Sequence, residues 1–171
     1  SGRLTYGYLG NNYNLRLMAS QYTQNVGLYP GATGIPRAYD VRNIGDVSDI
    51  DLPNQEVKHT KLYGQINVKI KDNWLMTDLG FQQNDRVENS QPHSHGFIEI
   101  DENDTKALGL NLKTFSLNSS YSWTGKDVKY VLGTNQQYQR NVRSGWEYLL
   151  PDFETYNAGL FTLVNGDINN R

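Results

Sequence analysis

The sequence predicts an all-β chain, an antiparallel meander of about seven long strands. Three observations predict it. Apolar and polar side chains alternate with a period of two in most of seven separate runs, the signature of strands with one apolar face. Tyr is abundant at 12 residues, and Pro is sparse at 5, a balance that favours strands. Short and long polar connections alternate between the runs.

The elements follow in order. Residues 3–10 place Leu4, Tyr6 and Tyr8 on one face, and Asn11-Asn12 makes a tight turn. Residues 13–22 set Tyr13, Leu15, Leu17 and Ala19 against Asn14, Arg16, Met18 and Ser20. Residues 23–57 lose the alternation and carry Gly27, Pro30, Gly31, Gly34, Pro36, Gly45 and Pro53, which predicts a long surface loop. Residues 59–70 form the clearest strand, with Leu62, Gly64, Ile66, Val68 and Ile70 opposite Lys61, Tyr63, Gln65, Asn67 and Lys69. Lys71-Asp72-Asn73 turns the chain into residues 74–87, where Leu75, Thr77, Leu79 and Phe81 share a face. Residues 88–105 are a second long polar loop. Residues 106–117 predict a strand around Leu108, Leu110 and Leu112, with turns near Asn118-Ser119-Ser120 and Thr124-Gly125-Lys126. Residues 128–141 align Val128, Tyr130, Leu132 and Thr134. Residues 142–155 do not alternate, and residues 156–164 are a last strand of unassigned register.

Strands of this length exceed the ~5–6 residues usual in soluble sheets and match the ~9–11 needed to cross a membrane at a tilt. Short turns at one end and long loops at the other are the arrangement of transmembrane β-barrels. Aromatic residues agree with it: Tyr13, Trp74, Tyr121 and Trp123 flank the short turns, and Tyr22, Tyr138 and Tyr156 lie near the long loops, as interfacial girdles do. The plainer alternative is that Tyr is common in strands. Residues 1–171 are therefore read as one segment of a barrel, cut from a longer chain. An odd number of strands does not close a bacterial barrel, and a fragment of seven leaves two raw edges, so it should associate in water through its edges and apolar face.

Composition excludes several classes. There is no cysteine, hence no disulfide framework and no thiolate chemistry. The formal net charge of −2 gives no reason to expect a nucleic-acid partner. Mean hydropathy is negative, which argues against membrane helices but not against a barrel, whose interior and loops are polar. No nucleophile elbow, P-loop or H-E-x-x-H motif occurs, so no enzyme and no cofactor is expected.

Three motifs resemble one family. Leu52-Pro53-Asn54-Gln55-Glu56-Val57-Lys58-His59 resembles a P-x-Q-x-V-x-H strand entry. Gly80-Phe81-Gln82-Gln83-Asn84-Asp85-Arg86-Val87-Glu88 resembles a G-[YF]-Q-x-N-x-R-x-E strand end. Gly133, Gln139-Arg140-Asn141 and Leu149-Leu150-Pro151-Asp152-Phe153, followed by Tyr156–Phe161, resemble a third. Their order is similar to that in TonB-dependent outer-membrane receptors of the Bacteroidetes kind. The resemblance covers about residues 3–165 and marks strand ends. It implies a 22-stranded transmembrane barrel with an N-terminal plug, of which this chain would be the middle third. It also implies bacterial outer-membrane location, energy from the TonB complex through the plug, contact with outer-membrane lipid, and import of an iron-siderophore, haem or another scarce ligand.

Candidate ligand residues are the polar and aromatic groups of the long connections: Tyr29, Arg37, Tyr39, Arg42, His93, His95, Arg140 and Arg143. Arg and Tyr suit an anionic chelate, though they are equally ordinary surface residues or lipid-phosphate contacts. His93 and His95 could share a metal, but two His alone are a weak site, and no metal site is assigned. Asp101-Glu102-Asn103-Asp104 lacks calcium-loop spacing. Asp152 and Glu154 form a carboxylate pair without other catalytic support. His59, at a strand entry, is read as architectural. The competing class is a soluble secreted β-sandwich that binds carbohydrate or acts as an adhesin, in which Leu62, Ile66, Val68, Leu75, Leu79 and Phe81 would be a core rather than a lipid-facing surface. A passive porin or an assembly factor is a third option.

Overall fold

The structure is a computed structural model that describes residues 1–28, 50, 52–92, 101 and 103–166. Seven strands form one antiparallel sheet in which each pairs with the next in sequence. They are β1 (Gly2–Leu9), β2 (Tyr13–Gly27), β3 (Asn54–Ile70), β4 (Asn73–Asn89), β5 (Lys106–Gly125), β6 (Val128–Ser144) and β7 (Phe153–Gly166). The sheet is open, with β1 and β7 as its edges.

The turns at one end are as tight as a hairpin allows. Lys71-Asp72 joins β3 to β4, and Lys126-Asp127 joins β5 to β6. Each lysine has positive φ, 59° and 51° respectively. That is the hand of primed hairpin turns, whose twist matches the strands they connect. Between β1 and β2 the Gly10 N–H donates to the Tyr13 carbonyl at 3.0 Å. All three long connections leave from the opposite end. The asymmetry of connection lengths predicted from sequence is therefore present.

The strands are longer than alternation predicted. β2 runs on to Gly27, β3 begins at Asn54, β4 reaches Asn89 and β6 reaches Ser144. β5 differs most. Its expected end at residue 117 and the expected turn at Asn118-Ser119-Ser120 are absent, and the strand continues unbroken to Gly125. Ser119 stands opposite Thr77 and Asn118 opposite Asp78, and the hydroxyls of Thr77 and Ser119 lie 3.0 Å apart. Pairing on both sides outweighs the turn preference of Asn and Ser. Pairing also assigns β7, through Tyr156 opposite Tyr138 and Leu160 opposite Thr134.

This is a single layer. Among the described residues the buried hydrophobic side chains are Ala107 and Leu108, while Leu79 is 55% exposed and Leu160 85%. Ala107 and Leu108 lie where the β6–β7 connection folds back onto β5, with the Glu147 N–H donating to the Ala107 carbonyl at 2.8 Å.

Candidate functional site

Because side chains alternate across a strand, the pairing register sorts the whole sheet into two faces. On the first, rows run straight across from strand to strand. One row is Leu4, Ala19, Leu62, Phe81, Phe115, Tyr138 and Tyr156. The next holds Tyr6, Leu17, Gly64, Leu79, Leu117 and Gln136. Further toward the turns come Leu15, Ile66 and Thr77, then Val68, Leu75, Tyr121 and Leu132.

This apolar band has aromatic borders. At the turn end Tyr8 stacks on Tyr13 with centroids 5.1 Å apart, and Trp123 lies between Tyr121 and Tyr130 at 5.8 and 5.4 Å. At the loop end Phe81, Phe115 and Tyr138 form a ladder with spacings of 4.9 and 6.4 Å. From Phe115 to Trp123 an extended strand advances ~27 Å, which is ~20 Å along a normal inclined by ~40°. Beyond the loop-end border the same face turns polar in one step, along the row Gln21, Thr60, Gln83, Lys113, Arg140 and Glu154. Two aromatics expected in the borders lie elsewhere. Trp74 pairs with Lys69 and Ser122, and Tyr22 with His59, so both project from the second face.

Polar groups inside the band are largely satisfied within the sheet. The Thr77–Ser119 pair is one case. Thr134 Oγ1 donates to the Gly159 carbonyl at 3.0 Å, and the Tyr156 hydroxyl donates to Gln136 Oε1 at 3.0 Å. At the turn-end border Asn73 Nδ2 donates to the Tyr121 hydroxyl at 2.8 Å. The band is also dished. A trough of about 720 Å³ crosses it from Leu4 on β1 to Tyr156 on β7, over Leu17, Gly64, Leu79 and Leu117.

The second face is polar over most of its area. The Tyr63 hydroxyl and Gln65 Nε2 both donate to Asp78 Oδ1, at 2.6 and 2.9 Å, and Arg16 stands opposite Gln65. Gln139 Nε2 donates to Thr114 Oγ1 at 3.1 Å. At its loop end Arg86 is ion-paired to Glu88. Three buried polar atoms of this face, Asn67 Oδ1, Arg86 Nε and Asn141 Nδ2, lack a hydrogen-bond partner among the described residues. Neighbouring side chains shield these atoms, and each unmade hydrogen bond costs ~1–3 kcal/mol. Leu108, Leu110 and Leu112, expected simply as strand residues, stand on this face near the loops.

Of the predicted ligand residues, Tyr29, Arg37, Tyr39, Arg42, His93 and His95 lie outside the described residues. The other two are not brought together. Arg140 projects from the apolar-band face and pairs with Glu154 at 3.2 Å. Arg143 belongs to the opposite face and organises the β6–β7 connection. Its Nη1 donates to the carbonyls of Gly145 and Glu147, both at 2.9 Å, and its guanidinium lies 3.6 Å over the Tyr148 ring. Its backbone N–H donates to Asp152 at 2.5 Å. Asp152 and Glu154 are thus engaged separately rather than as a catalytic pair. Asp101 accepts from the Asn103 N–H at 2.9 Å and Asp104 from the Lys106 N–H at 3.1 Å, the work of turn residues. No cluster of three or more His, Cys, Asp or Glu that could hold a metal occurs among the described residues. No protein-family model, curated protein or solved structure matches this chain.

Proposed function

We propose that this chain is a segment of a 22-stranded outer-membrane β-barrel, part of a TonB-dependent receptor that imports a scarce ligand, an iron-siderophore or haem. The band carries the barrel part of the reading. One face has an aliphatic zone bordered by aromatics at both ends, in register across the strands, and its height approaches the ~25 Å apolar belt of such barrels. Hydrocarbon would cover this face. The internally bonded Thr77, Ser119 and Thr134 suit that surrounding, since lipid offers no hydrogen bonds. The second face, with Arg16, Gln65, Asp78, Arg86 and Glu88, would line the water-filled or plugged interior. The receptor and its ligand rest on the family resemblance of the strand-end motifs. On this reading the chain catalyses nothing.

The test has two arms, both on the full-length protein. It should float with phospholipid vesicles and resist extraction by salt, and a protein that stays soluble sinks the barrel reading. Cells should take up labelled ferric chelate through it only while the proton gradient is maintained. Uptake that ignores the gradient, or the gene, sinks the receptor reading and leaves the barrel standing.

The trough favours a second reading, the soluble β-sandwich. A second sheet could pack ~10 Å above the first and seat its side chains there. The sharp polar row at the loop end argues against it, because a sandwich core has no need of a straight boundary across six strands.

A further inference from the structure

The polar row above the trough contains an arrangement that the sheet alone does not explain. Lys113 on β5 stands directly opposite Arg140 on β6, and like charges facing each other across strands are destabilising. Glu154 relieves Arg140 from the β7 side. It lies on the far side of Arg140 from Lys113, and Lys113 has no ion pair among the described residues. Both side chains are exposed. One step along each strand toward the turns lie Phe115 and Tyr138, which line the trough. Two facing cations therefore sit at the rim of an apolar depression, ~7 Å from its wall.

We infer that Lys113 and Arg140 hold the phosphate of a membrane lipid whose acyl chain lies in the trough between Leu79, Phe115, Leu117 and Tyr138. The charges have the sign and spacing for one phosphate between them. Arg supplies a planar fork and Lys a point charge, and the phosphate would cancel the repulsion between the pair. The aromatic and aliphatic lining below suits hydrocarbon. The inference rests on the membrane reading given above, and it assigns this face a particular lipid site rather than general solvation by a bilayer.

The test uses the full-length protein in phosphatidylcholine vesicles containing a minor fraction of dimyristoylphosphatidic acid. The protein is then extracted in mild detergent, and its bound lipid is counted by native mass spectrometry. Failure to enter the vesicles would overturn the membrane reading and this inference together. Once inserted, the protein should retain phosphatidic acid in preference to phosphatidylcholine. Lys113→Gln with Arg140→Gln should lower that retention about tenfold or more, since two charge-assisted bonds are lost. Glu154→Gln should raise it, because a competing anion is removed. Lys129→Gln, on the opposite face near the turns, should leave it unchanged. Equal retention by the double variant, a fall with Glu154→Gln, or full displacement of the lipid by millimolar inorganic phosphate would each overturn the inference. The last outcome would show a phosphate contact to which the trough contributes nothing.

Discussion

Leu79 offers the sharpest test of what surrounds the apolar face. It is 55% exposed and stands one row inside the loop-end aromatic ladder, between Gly64 and Leu117. Gln83, on the same strand and face, marks the polar row. The two are ~14 Å apart along the strand, hence ~10 Å along a normal inclined by ~40°. On the barrel reading Leu79 would therefore lie ~10 Å inside a ~25 Å belt whose edge is the polar row. Replacing Leu79 by Arg should therefore cost about 2–4 kcal/mol, and the same change at Gln83 only about 0–1 kcal/mol. Gln82→Arg, on the polar face beside them, should also cost little. The measurement is a urea titration of the full-length protein folded into phospholipid vesicles, followed by tryptophan fluorescence. A cost below about 0.5 kcal/mol at Leu79, the value typical of a water-exposed surface, would refute the reasoning. So would complete refolding of the wild type in buffer without lipid.

Three further outcomes are expected. Lys126→Gly should stabilise the hairpin by about 1 kcal/mol, because φ of 51° strains a residue with a Cβ; the same titration reads it. Arg143→Ala should cost about 1–2 kcal/mol through the lost carbonyl bonds and ring contact. It should also speed amide exchange over residues 145–152 while the centre of β6 stays protected. Gly133→Ala would place a Cβ against the Phe161 ring, so the ring must move. A loss of about 1 kcal/mol is expected, recovered by adding Phe161→Leu.

Alternation revealed the strands only where one face is apolar and the other polar. Leu62 to Ile70 and Leu75 to Phe81 were legible for that reason, and the residues read as sharing a face do so. Where the strands pass the polar row, both faces become polar, as at Gln55, Glu56 and Asp85, and the two-residue signal vanishes although the pairing continues. β7 failed in the opposite way. Leu160 and Val164 lie on one face and Phe161 and Leu163 on the other, so a run of apolar residues offered no register until a neighbour supplied it. The candidate site was less legible. Spacing of three between Arg140 and Arg143 puts them on opposite faces of a strand, and that parity was readable from sequence once the strand was known to reach Ser144. Lys113 opposite Arg140 was not readable, because the turn expected at Asn118-Ser119-Ser120 cut β5 short of the Lys126-Asp127 hairpin that sets this register.

The continuation of the strands past the polar row has a further consequence. Gly27 is paired with Asn54, and Asn89 with Lys106, so the two ends of each longer connection are pinned together by the sheet itself. Once ends are pinned, doubling the length of a flexible connection adds only ~0.6 kcal/mol of closure entropy. These segments can be lengthened, shortened or exchanged at little cost to the wall beneath them. The ladder thus acts as a standard socket, and what is plugged into it can diversify faster than the sheet that holds it.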